Sequence, residues 1–273
     1  MRRLPANLVI GAVLVGLVVG TAALSLLWTP HDHTILNIRN KFAGASGDHW
    51  LGTDQLGRDV VSQLMAAARN SMTVALVAVL IGGSIGTALG LLASALGGWV
   101  EDLVMRLADI GFAFPALLFA IMLAAVFGPS LTIAVAAIAF INIPVFARVA
   151  RASANQIWTR EYVAAARAAG MGRLAISRDH ILPNIAAPII VQATIEFAVA
   201  ILAEAALSYL GLGAQPPSPS WGRMLSEAQT LMYLAPQLAI YPGLCIVTAV
   251  LSGGFGAGGL WLISQASGPL MLG

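Results

Sequence analysis

Glu161-Tyr162-Val163-Ala164-Ala165-Ala166-Arg167-Ala168-Ala169-Gly170, continued by His180-Ile181-Leu182-Pro183, is a polar island between two apolar stretches of an oily chain. Alanine is the strongest helix former, and Gly170 is a natural helix stop. Thr159 stands where an N-cap belongs, and Glu161 in the first turn suits the helix dipole. A second short helix is expected from about Arg173, ending before Pro183 because proline cannot continue it. The reading is helix, glycine turn, helix, lying outside the membrane. Its alanines offer a small, close-fitting face, and its arginines can meet acidic groups. A docking element needs those two features, and the stretch holds no nucleophile or metal cluster.

Outward from this island the chain is apolar. Hydrophobic residues make up 59% of the 273 and charged residues 10%, against about 25% charge in an average soluble domain. A membrane protein follows, all-α in class. Six stretches reach the roughly 20 apolar residues that a bilayer requires: 7–28, 72–96, 104–127, 130–149, 186–210 and 233–262, the last broken by glycines. Residues 1–70 are expected to hold an N-terminal transmembrane helix and an extracytoplasmic segment, the stretch 29–70 being too polar to span. Residues 71–265 are expected to form a five-helix transmembrane domain with its loop at 150–185. Met1-Arg2-Arg3 ahead of the first apolar run resembles a signal peptide. The run is longer than the roughly 7–15 residues of a signal core, so it reads as an uncleaved span.

Charge bias sets the expected orientation. With both termini in the cytoplasm, nine of the 14 Lys/Arg fall inside, six of them between Arg148 and Arg178; cytoplasmic loops carry such an excess. Gly82, Gly86 and Gly90 on the second span, and Gly16 and Gly20 on the first, have the spacing that lets helix backbones approach closely.

The chemistry is restricted. No Gly-x-x-x-x-Gly-Lys-Ser/Thr occurs, so the chain cannot cradle ATP phosphates in a P-loop and its energy must come from another chain. No cysteine stands near a histidine, and no catalytic residue or cofactor site is expected. Net charge of +2 gives no footprint for nucleic acid, and the lone Cys245 allows no disulfide within the chain. His31-Asp32-His33 in a polar loop reads as solvated rather than metal-binding. Glu196 and Glu204 are the acids expected within the fifth span, where carboxylates are costly and face a cavity or a partner. Eight residues apart, they fall on similar helix faces. They either line a translocation path or pair in an interface. Asp109 is expected to pair with Arg106 one turn away. Pro216-Pro217 and Pro219 stiffen an outer rim that ends at Trp221, an aromatic anchor for the interface. Residues 49–59 are expected on the outer membrane surface, with Asp54, Arg58 and Asp59 in local pairs.

Four ordered stretches carry a family resemblance. Ala165-Ala166, Gly170 and Leu182-Pro183 fall in register with the "EAA" loop of ABC-importer permeases. His49-Trp50-Leu51-Gly52-Thr53-Asp54-Gln55-Leu56-Gly57-Arg58-Asp59, Ala203-Glu204-Ala205-Ala206-Leu207-Ser208-Tyr209-Leu210-Gly211-Leu212-Gly213 and Gln215-Pro216-Pro217-Ser218-Pro219-Ser220-Trp221-Gly222 agree with it. Together they cover about 49–245, and the chain resembles the C-type subunit of the dipeptide/oligopeptide (and nickel) class. The resemblance implies the type I importer permease fold and one half of a pore. It also implies ATPase coupling through Glu161, Ala164, Ala165, Ala166, Arg167, Gly170 and Met171. A binding protein would meet the rim at Pro216, Pro217 and Trp221. The implied partners are a second homologous permease, two ATP-binding subunits or one fused ATPase that hold ATP and Mg, an extracytoplasmic substrate-binding protein, and the lipids of the inner membrane. Three departures stand out: Ala164 replaces the family's Glu, leaving Glu161 as its nearest substitute. His180 replaces an aliphatic residue. Gly253-Gly254-Phe255-Gly256-Ala257-Gly258-Gly259 replaces a polar Gly-Asp-x-Leu-Arg end. A nickel or other small-solute importer, and a proton-coupled secondary transporter working through Glu196 or Glu204, remain as alternatives.

Overall fold

A computed structural model describes the backbone of residues 6–267 and the side chains of residues 9–254. Met1-Arg2-Arg3, the side chains of the glycine run from Phe255 onward and the tail after Ser267 lie outside the described residues. The described chain forms α1 (Ala6–Leu27), α2 (Val60–Leu96), α3 (Gly98–Ala113), α4 (Ala116–Phe127), α5 (Leu131–Trp158), α6 (Glu161–Ala168), α7 (Arg173–Ile176), α8 (Leu182–Tyr209), α9 (Trp221–Gln229) and α10 (Gln237–Ser267). Among the described residues no β-strand forms; one isolated bridge pairs Thr53 with Asp59. Five helices are long and apolar enough to span a membrane, and the bent pair α3–α4 makes a sixth span if counted as one.

The core is the seam between α2 and α5. A Cβ added at Gly82, Gly86 or Gly90 would strike the carbonyl oxygen of Ala139, Ile143 or Ala147 in turn. Four-residue steps on both helices bring glycine ridges onto backbone, the close packing that apolar solvent cannot otherwise drive. Gly16 and Gly20 behave differently. Nothing lies within 4 Å of a Cβ at either, so the same spacing on α1 makes no such seam among the described residues. α1 instead packs Val18 and Ala22 into the common core, alongside α10 and α2.

Helix boundaries depart from the sequence reading where capping and proline act. α2 starts at Val60 rather than at 72, because the Asp59 side chain accepts the Ser62 N–H and the alanines of 66–68 continue the helix. Its 37 residues run about 55 Å, against a hydrocarbon core of about 30 Å. The expected single span 104–127 is broken. α3 and α4 meet at 83°, because Pro115 drives Phe114 out of the helical region to φ −80°, ψ 120°. Pro183 has the opposite outcome and does not end a helix. A π turn over Ser177–Ile181 joins α7 directly to α8, and Pro183 is carried as the second residue of α8, immediately after that turn. Thr159 is not the cap of α6. Arg160 holds that position without a side-chain hydrogen bond, while the Thr159 hydroxyl donates back to the Gln156 carbonyl at 2.9 Å.

Candidate functional site

α6 is short, and its hold on the protein comes from one face. Val163 and Ala166, one turn apart, are buried with Ala150 and Ala154 of α5, Ile176 of α7, Ile181, and Ile185 of α8. Ala166 therefore packs inward and is not part of an outward surface, which corrects its assignment as a contact residue. Glu161, Ala164, Ala165, Arg167 and Gly170 are exposed, and Met171 is half-buried against the same cluster. Gly170 closes the helix at φ +84°, a conformation that an L side chain enters at a cost of about 1–2 kcal/mol. The Arg167 guanidinium stacks over the Trp158 ring at 4.9 Å, and Arg173 donates to the Leu96 carbonyl at 3.1 Å. The result is a small exposed alanine face, flanked by held arginines and keyed by two apolar side chains onto the ends of α5 and α8.

The carboxylates of α8 are both buried. Glu196 accepts from the Gln192 side chain at 2.8 Å, one turn back on its own helix. Glu204 is fully enclosed, and its Oε1 accepts from the Ser208 hydroxyl at 2.7 Å. Ser208 in turn accepts the Ala214 N–H at 3.1 Å. Ser71 of α2 and Ser220, the cap of α9, neighbour the same carboxyl, although Oε2 and the Ser71 hydroxyl find no hydrogen-bond partner. Glu204 thus sits in a polar knot where α2, α8 and α9 converge, not on an open path within this chain.

The rim divides. Pro216 and Pro217 are exposed, but Trp221 is buried, and its Nε1 donates to the Leu64 carbonyl at 3.3 Å. Trp221 is a core residue rather than an interfacial anchor. A Cβ at Gly222 would strike the backbone of Ala205, so α9 begins in contact with α8. Residues 49–59 form a folded cap, with Thr53, Asp54 and Asp59 buried. Arg58 pairs with Asp54 at 2.7 Å and crosses to Glu227 of α9 at 3.0 Å; Glu227 also accepts from Arg223 at 2.8 Å. Sequence spacing signals the first pair and the Arg223–Glu227 pair, both i,i+4, but carries no sign of the crossing. Asp109 pairs with Arg148 of α5 at 2.5 Å, not with Arg106, because the Arg148 guanidinium lies over Phe112 beside it. Burial pushes the His33 imidazole below its usual value.

Residues 86–257 match the family described as "Binding-protein-dependent transport system inner membrane component". The dipeptide transport system permease protein DppC of Alkalihalophilus pseudofirmus is 42% identical over 243 residues, 89% of this chain and 80% of that protein. The glutathione transport system permease protein GsiD of Pectobacterium atrosepticum is 42% identical over 209 residues, 77% of this chain and 69% of that protein. A solved structure of the MetNI methionine ABC transporter in inward-facing conformations superposes with a TM-score of 0.60 at 18% identity. It covers 75% of this chain and 95% of that one, and so shares the fold. With the matched region covering most of the transmembrane core and both relatives aligning over more than two thirds of their length, the chain belongs to the family of binding-protein-dependent transport system inner membrane components.

Proposed function

We propose that this chain forms half of the translocation pore of an ATP-driven importer of di- or oligopeptides. The substrate class follows the dipeptide and glutathione permeases to which the chain is similar. The second half is a homologous permease. ATP is hydrolysed by two ATP-binding subunits, or one fused ATPase, on the cytoplasmic side of the inner membrane, where both termini also lie. A substrate-binding protein docks outside, against a rim that includes Pro216 and Pro217.

The observation that carries this reading is the two-sided character of α6. Its exposed face is small and fits a cleft in a partner, while Val163 and Ala166 lock its other face to α5 and α8. Displacement of α6 by closing ATPases is therefore passed to two spanning helices as rigid-body motion, because a packed apolar cluster yields little. Glu161, Ala164, Ala165, Arg167, Gly170 and Met171 form the contact; Ala164 removes the carboxylate usual at its position and leaves Glu161 to supply the charge.

The test is Ala165→Glu, which places a charge on the exposed face without touching the buried cluster. The variant should remain membrane-inserted but lose co-purifying ATPase subunits and transport. Ala165→Glu that still pulls down the ATPases and still transports would exclude α6 as the coupling element.

A further inference from the structure

Three metal-ligating side chains from separate stretches meet where the 29–59 segment closes on the start of α2. The histidines that the sequence places together do not stay together. His31 turns away from His33 toward His49 and Asp59, and the ligand atoms of His31, His49 and Asp59 all lie within 4.8 Å of one another. His49 Nδ1 is 3.0 Å, and His31 Nδ1 3.8 Å, from the same Asp59 Oδ1. Metal–ligand bonds of about 2.0–2.1 Å put tetrahedral donors about 3.3 Å apart, so the two spacings bracket the required edge. The imidazole centroids are 4.6 Å apart and tilted by 37°, so the rings lie side by side at the carboxylate.

The donors are already oriented. Asp59 Oδ2 is occupied by the Ser62 N–H at 2.8 Å and the Ser62 hydroxyl at 2.7 Å, so Oδ1 faces the histidines. The same Ser62 hydroxyl accepts the His31 N–H at 2.9 Å. One serine therefore fixes both the carboxylate and the backbone that carries an imidazole, the role that outer-shell partners play at metal centres. The charge is also unbalanced. The Asp59 side chain is 1% exposed, and among the described residues no lysine or arginine pairs with it. Two imidazoles, the Ser62 hydroxyl and the N-terminus of α2 face the carboxylate.

We propose that His31, His49 and Asp59 bind a divalent transition-metal ion of the zinc class, clasping the chain after α1 to the N-terminus of α2. Two imidazoles and a carboxylate favour such an ion over magnesium or calcium and leave a fourth position for water.

The experiment uses the full chain in nanodiscs, stripped of metal and free of tag histidines, titrated with Co²⁺ and then with Zn²⁺. One Co²⁺ per chain should bind with the visible absorption of a tetrahedral site, and Zn²⁺ should displace it. His49→Ala and Asp59→Asn should each weaken binding by more than the ~10–100-fold that loss of an outer-shell partner costs, and Ser62→Ala by about 10-fold. Asparagine still caps a helix, so Asp59→Asn keeps α2 intact, and circular dichroism of each variant checks this. His33→Ala should bind as the parent does. Absence of stoichiometric binding, a band undiminished in a folded Asp59→Asn chain, or a band lost equally in His33→Ala would each overturn the site.

Discussion

Glu204 shows what a single buried carboxylate does when its partners are hydroxyls rather than cations. Its Oε1 takes the Ser208 hydroxyl, and Ser71 and Ser220 stand around it. Glutamine has the same shape and can accept the same hydrogen bond. Alanine leaves a void and removes the acceptor of the buried Ser208 hydroxyl. Glu204→Gln should therefore keep the thermal midpoint in detergent close to that of the parent. Glu204→Ala should lower stability by about 1–3 kcal/mol, the cost of stranding buried polar groups. Equal midpoints for the two variants would mean that the knot contributes nothing. That Glu204 lies within the apolar fifth span was legible in the sequence, but not whether it faces a path or a packed interface, since a costly carboxylate suits either. Its neighbours were not legible, because Ser71 and Ser220 come from helices that the sequence alone does not bring together. Trp221 was misread for a related reason. A tryptophan after a proline-rich turn fits an interface as well as a core, and only the close approach of α9 to α8 at Gly222 decides between them.

At the scale of elements, the same residue type gave opposite outcomes according to its position. Pro115 breaks a span, Pro183 follows a π turn without breaking the run from α7 into α8, and Pro144, Pro188 and Pro242 are carried inside α5, α8 and α10. The existence of the long apolar helices was readable from run length. Their ends were not, because they depend on caps such as Asp59 and on the π turn before Leu182, which have no periodic signature. The glycine ridge of α2 was readable as close packing, whereas the identical spacing on α1 misled, since a pattern on one helix says nothing of whether a partner lies opposite. The crossing from Arg58 to Glu227 ties the 49–59 cap to α9, with Arg58 only 11% exposed. A double-mutant cycle with Arg58→Ala and Glu227→Ala should give a coupling of about 1 kcal/mol, at the upper end for exposed pairs because this one is partly enclosed. Strictly additive effects would mean that the cap and α9 are held by their apolar contacts alone.

For the whole molecule, the arginine bias is the argument for one arrangement in the membrane. On the proposed orientation the α5–α8 connection, with Arg160, Arg167, Arg173 and Arg178, lies in the cytoplasm, and the 49–59 cap with the α8–α9 turn lies outside. With Cys245 replaced, single cysteines at Ser46 and Ser218 should react with an impermeant reagent in intact cells, or in spheroplasts if an outer membrane bars access. Cysteines at Thr159 and Arg178, both exposed in the protein, should react only after lysis. Labelling of the α5–α8 connection in intact cells would reverse the orientation.

The length of α2 has a mechanical consequence. One unbroken helix begins at the Asp59 cap, passes along α5 and ends at Leu96, whose carbonyl is held by Arg173 of α7. A rod of about 55 Å that tilts by about 10° about one end carries the other through about 10 Å. On the proposed topology α2 is a lever with its two ends on opposite sides of the bilayer. A small rotation imposed near Leu96 becomes a large excursion at the cap formed by residues 49–59, and a clamp on the cap would stall motion at the far end.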